Sequence, residues 1–179
     1  MSERQLQMQD LGSLTVMVVD DSAGMRQLMS SVLQSLGIRH VQLADSGPEA
    51  LKLARQSKPD LFIIDWEMRP MDGLTLMREI RRVTNYAFAF VPIIVLTAHS
   101  SPQVVRAALS HGANQFLSKP VVPQTLLNRM LWALNDRRAF VNRDGFFVHA
   151  GKEQAQTAAS AQPAQAAKVP KPTEMWEIE

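Results

Sequence analysis

Leu14-Thr-Val-Met-Val-Val19 is apolar or β-branched at every position and runs straight into Asp20-Asp21. A run without alternation has no face to give to water, so it fits a strand covered on both sides, as in the middle of a parallel sheet. The signature returns at Leu61-Phe-Ile-Ile64, which ends in Asp65, and at Ile93-Ile-Val-Leu96, which ends in Thr97. Val41-Gln-Leu-Ala44 and Asn114-Gln-Phe-Leu117 add two shorter runs, the last leading into Ser118-Lys119-Pro120. Helical periods fill the intervals. Met25, Leu28, Met29, Val32, Leu33 and Leu36 share one face until Gly37 supplies a stop. Ser46-Gly-Pro-Glu49 has the spacing of a capping box with proline in the first turn, ahead of a helix through Ala54. Asp72-Gly73 opens a third helix carrying Leu74, Met77, Ile80 and Val83, Ser101-Pro102 caps a fourth, and Pro123 starts a fifth with Leu126, Leu127, Met130, Leu131 and Leu134 on one side. Five strands alternating with five helices predict an α/β fold, a doubly wound five-stranded parallel sheet with right-handed crossovers and helices on both faces.

The 179 residues, 46% hydrophobic and 20% charged, suit one soluble domain with some chain to spare. The absence of cysteine excludes disulfide frameworks, thiolate metal sites and cysteine nucleophiles. A net charge of +2 with a pI near 9.2 gives no nucleic-acid signal. No apolar stretch follows the N-terminal charges, and the longest nearly apolar run, Tyr86 to Ala98, contains Pro92 and falls short of the ~20 residues of a spanning helix. The expectation is a cytoplasmic protein without membrane insertion. Residues 1–13 read as an N-terminal extension, 14–137 as the domain and 138–179 as a tail that is largely flexible linker. Arg137, Arg138 and Arg143 lie among Phe140, Val141, Phe146, Phe147 and Val148, so the start of that tail reads either as a packed strand or as a basic linker. From Gly151 to Ala167 eleven of 17 residues are Ala or Gln, and Lys168-Val-Pro-Lys-Pro172 follows, which is linker composition. Glu174-Met-Trp-Glu-Ile-Glu179 closes the chain as a small amphipathic patch that could bind a partner, dock on its own domain or do neither.

In an open parallel sheet, ligands bind beyond the carboxyl ends of the strands, near the point where strand order reverses. The unusual polar residues all fall at such ends: Asp20 and Asp21 after strand one, Asp65 after strand three, Thr97 after strand four and Lys119 after strand five. Carboxylates gathered in one crevice repel each other and call for a cation. Mg²⁺ fits, as a hard ion that takes a few carboxylate oxygens and keeps waters for phosphate, while His40, His99, His111 and His149 have no soft-metal spacing. Lys119 adds an ammonium suited to a phosphoryl oxygen and Thr97 a hydroxyl donor. Taken singly, Asp20-Asp21 reads as a helix cap, Asp65 as a loop carboxylate, Thr97 as a strand-end hydroxyl and Lys119-Pro120 as a solvated turn. Their joint placement points instead to phosphoryl transfer without a nucleotide cradle, since neither glycine-rich phosphate motif is present.

Val-Val-Asp20-Asp21-Ser-Ala-Gly-Met-Arg26, Ile-Ile-Asp65-Trp-Glu-Met, Pro70-Met-Asp-Gly73, Val-Leu-Thr97-Ala and Phe116-Leu-Ser-Lys119-Pro120, in this order, resemble the receiver domain of two-component response regulators, particularly the single-domain chemotaxis type. The resemblance covers about Leu14 to Arg137 and implies a flavodoxin-like receiver fold. It implies that Asp65 accepts a phosphoryl group from a sensor histidine kinase, a histidine phosphotransfer protein or a small acyl phosphate. It implies Mg²⁺ on Asp20, Asp21, Asp65 and the backbone carbonyl of Glu67, Lys119 and Thr97 on the phosphoryl oxygens, and a cis Lys119-Pro120 bond. It also implies a switch in which Thr97 draws Phe116 inward, with an output partner at the face of helix four, strand five and helix five. Phe116 lacks the hydroxyl that tyrosine would bring, so packing would set its inward state; the plain alternative is a core aromatic.

Arg69 stands where the family commonly has proline, and Asn85-Tyr-Ala-Phe-Ala-Phe90 lengthens the approach to strand four. Glu67 and His99, two residues after Asp65 and Thr97, occupy positions that influence phosphate loss in such domains. The expected function is a stand-alone response regulator acting through protein–protein interaction, not an enzyme on external substrates. Two rivals stay open: a constitutive adaptor that never uses Asp65, and an aspartyl-phosphate phosphohydrolase, for which no cap-sized insertion exists.

Overall fold

The computed structural model describes residues 8–99 and 101–150. The Ala/Gln-rich stretch and the Trp176 patch lie outside the described residues. Five strands, β1 (Thr15–Val19), β2 (His40–Ala44), β3 (Leu61–Asp65), β4 (Ile93–Thr97) and β5 (Gln115–Ser118), form a parallel sheet in the order β2-β1-β3-β4-β5. Helices α1 (Ala23–Ser35), α2 (Gly47–Gln56), α3 (Gly73–Ile80), α4 (Pro102–Ser110) and α5 (Pro123–Leu134) connect and follow the strands.

Each strand sends alternate residues to opposite layers, as a period of two requires. Val16, Val18, Leu61, Ile63, Ile94 and Leu96 pack with Met29 and Leu33 of α1 and Leu126, Leu127 and Met130 of α5. Met17, Val19, Phe62, Ile64, Ile93 and Val95 pack with α2, α3 and Ala108 of α4. All of β3 and β4 is buried, which is why their sequences do not alternate. A short 3₁₀ turn, Met8–Ser13, tucks Leu11 into the α1–α5 layer, so the N-terminal extension contributes to the core.

Most helix starts follow the sequence signals. Ser22, Asp72 and Ser101 each accept a backbone N–H of the first turn, at 3.3, 2.7 and 3.4 Å. The expected capping box of α2 does not close: Ser46 makes no cap bond, and Glu49 accepts instead from the amide of Asp45, at 2.7 Å. Leu28, expected on the apolar face of α1, is 53% exposed. It sits at the edge of that stripe, where the sheet no longer covers it.

Residues 138–150, for which the sequence leaves two readings, form an antiparallel hairpin of β6 (Phe140–Arg143) and β7 (Phe146–His149). Its loop is Asp144-Gly145 with φ of 52° and 84°, the left-handed pair that favours Asp-Gly in a two-residue hairpin. The dipeptide was the available signal, obscured by the arginines around it. The hairpin docks edge-on: Phe147 N–H donates to Arg81 O at 2.8 Å and Val83 N–H to Gly145 O at 3.1 Å. Phe90 meets Tyr86, Phe140 and Phe147 at ring distances of 5.0, 5.5 and 4.5 Å. The lengthened segment before β4 is therefore the seat of the hairpin.

Beneath them Arg81 is fully buried. Its guanidinium donates to Gly112 O through two nitrogens (3.1 and 2.7 Å), to Ala89 O (2.6 Å), Val91 O (2.8 Å) and Asn114 Oδ1 (3.2 Å), with the Phe140 ring 4.9 Å above. Burial lowers its pKa to about 9, still high enough to keep the charge at neutral pH. Asn114 passes the network on, its amide donating to Asp136 Oδ2 at 2.9 Å, and Asp136 is paired with Arg138 at 2.6 Å. Gly112, at φ 93°, leaves no room for a Cβ, which would lie 2.9 Å from Arg81 Nε.

Arg81→Met strands those carbonyls in the interior, and we expect urea denaturation to show a loss of about 3–5 kcal/mol. His149 stacks on Phe140 with a 4.3 Å ring separation, and neither ring nitrogen has a hydrogen-bond partner. Burial, followed by the charge of Arg138, lowers its pKa from 6.5 to about 4. Between these values the unfolded chain binds the extra proton, so His149 makes stability fall as pH drops from 6.5 towards 4. His149→Phe should flatten that part of the stability–pH curve, measured by denaturation at pH 7, 6 and 5.

Candidate functional site

The sheet order reverses between β1 and β3, and the crevice beyond their carboxyl ends holds Asp20, Asp21 and Asp65. One carboxylate oxygen from each lies within 4.8 Å of the others. Asp20 and Asp65 are buried while Asp21 faces solvent. Asp20 Oδ1 accepts the N–H of Ser22 at 2.9 Å, its backbone carbonyl accepts from Arg26 at 2.7 Å, and Asp21 Oδ2 accepts the N–H of Arg69 at 3.2 Å. Capping of α1 falls to Ser22, which leaves the two aspartates aimed at the crevice.

Lys119 crosses from the end of β5 to place its Nζ 3.0 Å from Asp65 Oδ1 and 3.2 Å from Asp20 Oδ2. The Lys119-Pro120 bond is cis, as the resemblance implied, and Arg69-Pro70 is cis as well. Burial pushes the carboxyl of Asp65 above the usual range despite the hydrogen bond from Lys119. Burial alone would lower the lysine, yet the hydrogen bond and charge of Asp65, followed by Asp20, hold its ammonium above the ordinary value. One ammonium thus serves a cluster of three carboxylates, and that uncompensated negative charge, presented by hard oxygen donors with one edge open to water, fits a divalent cation such as Mg²⁺.

Thr97, at the end of β4, is buried and its hydroxyl is engaged with the backbone of His99, accepting from N–H at 3.0 Å and donating to O at 3.1 Å. The strand-end reading of this residue therefore describes its present hydrogen bonds, while its position at the rim keeps it beside the crevice. Glu67 reaches across the mouth to His99, Oε1 to Nδ1 at 2.8 Å, with both side chains more than half exposed. Phe116 on β5 is half-buried against the α2–α4 layer, with the Arg129 guanidinium 5.9 Å above its ring.

In the sequence Gly73 reads as a helix opener and as the end of the Pro70-Met-Asp-Gly73 motif, and neither reading shows what it must clear in space. A Cβ there would lie 2.3 Å from the carbonyl oxygen of Asp65 and 2.9 Å from Trp66 Cα, so the start of α3 can pass under the Asp65 loop only as glycine. The Asp-Gly pair signalled a turn, while the close approach behind it depends on tertiary packing.

Among the described residues, no helix is long and apolar enough to cross a membrane. Residues 16–131 match the response regulator receiver domain family. Chemotaxis protein CheY1 of Helicobacter pylori is 35% identical over 118 residues, which is 65% of this chain and 94% of that protein. Among solved structures, Vibrio cholerae chemotaxis protein CheY4 aligns with a TM-score of 0.63 at 34% identity, covering 67% of this chain and 98% of that one. The receiver domain of sensor histidine kinase PA1611 from Pseudomonas aeruginosa, with a magnesium ion coordinated in its active-site cleft, aligns with a TM-score of 0.62 at 28% identity, covering 69% and 98%. With the aspartate crevice, the lysine that spans it and the strand order all in agreement, the chain belongs to the response regulator receiver domain family, on the single-domain, CheY-like side.

Proposed function

We propose that this protein is a stand-alone, phosphorylation-controlled signalling protein whose phosphoacceptor is Asp65. The observation that carries the reading is the Lys119 ammonium held between Asp65 and Asp20, with Asp21 close by in the same crevice. Asp65 attacks the phosphorus of a phosphohistidine on a sensor histidine kinase or phosphotransfer protein. The new O–P bond forms as the P–N bond breaks, and the donor imidazole, already protonated on its other ring nitrogen, leaves as the neutral ring. Asp20, Asp21, Asp65 and the backbone carbonyl of Glu67 would hold Mg²⁺. When bound, that ion supplies charge neutralisation for the phosphoryl oxygens and the carboxylates around them. Lys119 pairs with a second phosphoryl oxygen, and Thr97 leaves the backbone of His99 to donate to a third. Hydrolysis of the acyl phosphate returns the carboxylate, so the chemistry is confined to the protein's own modification.

Release of Thr97 from its strand-end bonds opens space on the α4 side of β5, into which Phe116 turns. The output surface is the face of α4, β5 and α5, where Leu109, Val122 and Trp132 are exposed. Its partner is a protein in the cytoplasm, with no nucleic acid involved.

Acetyl phosphate with Mg²⁺ should add one phosphoryl group to the intact protein by mass spectrometry. Asp65→Asn, or chelation of the ion, should abolish it. No adduct on the wild-type protein, with acetyl phosphate or a phosphorylated histidine donor, would instead identify a constitutive adaptor. Phe116→Ala should take up the group at a similar level yet lose most of the amide shift changes that phosphorylation produces in α4, read by heteronuclear NMR.

A further inference from the structure

At the amino ends of the strands, opposite Asp65, a cavity of about 320 Å³ opens between the last turn of α3, the end of α4 and the hairpin. Arg78, His111, Arg143, Asp144, Phe146 and Val148 are among its walls. Arg82 close by is neutralised by Glu79 at 3.0 Å, but neither Arg78 nor Arg143 has an ion pair among the described residues. Arg78 lies over the Phe146 ring, 5.2 Å from its centroid, so charge and apolar surface meet in one place. Asp144 is the opposing carboxylate. Two unpaired guanidiniums beside an aromatic and an aliphatic wall ask for a ligand that is both acidic and apolar.

The chain itself contains such a ligand. Glu174-Met-Trp-Glu-Ile-Glu179 sets an indole between carboxylates, and the cavity offers the complementary charges and an apolar wall. It is covalently joined to that wall, since the chain leaves β7 at His149 and 23 residues separate Ala150 from Glu174. Such a length can span at most about 80 Å, beyond the width of a domain this size. A tether of this kind holds the segment at an effective concentration on the order of millimolar, so weak individual contacts suffice.

We propose that residues 174–179 dock in cis into this cavity, Trp176 against Phe146 and Val148, with Glu174 and Glu177 on Arg78 and Arg143. The contact covers the end of α4 and makes the tail an intramolecular ligand of its own domain, independently of whether Asp65 is phosphorylated.

The chain has no cysteine, so Thr173→Cys gives a unique attachment point for a nitroxide on the full-length protein. Paramagnetic broadening should remove the amide signals of residues 110–111 and 143–148 and spare those around Asp20 and Asp65. Arg78→Glu with Arg143→Glu should restore the signals, and so should 1 M salt, where the Debye length is about 3 Å. Adding Glu174→Arg, Glu177→Arg and Glu179→Arg to the reversed cavity should bring the broadening back, which a misfolded hairpin could not do. Arg78→Gln with Arg143→Gln, milder for folding, should weaken it. Broadening that is uniform, falls elsewhere or ignores the charge reversals overturns the proposal. Broadening seen equally when isotope-labelled protein without nitroxide is mixed with unlabelled spin-labelled protein overturns cis docking in favour of a second copy.

Discussion

Three carboxylates brought together at one switch point are the constraint on which the rest of this molecule depends. Repulsion among Asp20, Asp21 and Asp65 works against folding the crevice at all, and it is tolerated because Lys119 crosses from β5 to stand between two of them. That lysine arrives from the last strand of the sheet, so the charge balance is achieved only when β1, β3 and β5 are all in register. The same shortage of positive charge suits the crevice to a divalent cation, which would remove the deficit.

Arg81 plays a comparable part at the opposite end of the strands. It is a buried charge whose hydrogen bonds go to backbone carbonyls and an amide oxygen, and it ties the end of α3 to the segments before β4 and β5. Buried cations cost less when every donor is used, and this one donates from all three of its nitrogens. The family match ends at residue 131, and the hairpin beyond it closes over this guanidinium.

Most of the sheet and the crevice could be read from sequence because their signals are local. Unalternating runs such as Ile93-Ile-Val-Leu96 mark strands covered on both faces, and a polar residue at the end of each run marks the rim. What escaped was non-local. The hairpin needed Phe90 and Arg81 to hold it, so the turn signal of Asp144-Gly145 had nothing visible to pack against. Gly73 was legible as a turn residue and illegible as a clearance under Asp65, because its neighbour in space is eight residues away. Glu49 spends its carboxylate one residue earlier than a capping box requires, a choice of rotamer that spacing does not encode.

The lid over Arg81 bears on how this domain breathes. A hairpin near a chain end ordinarily frays alone, at little cost. Here lifting it away would bring water to an ion whose hydrogen-bond partners belong to the core, and the backbone pairing of Phe147 with Arg81 would go with it. Fraying of the last strands and loosening of the segments before β4 and β5 are thereby joined into one cooperative event, and a hairpin beyond the family match shares the lifetime of the core it covers.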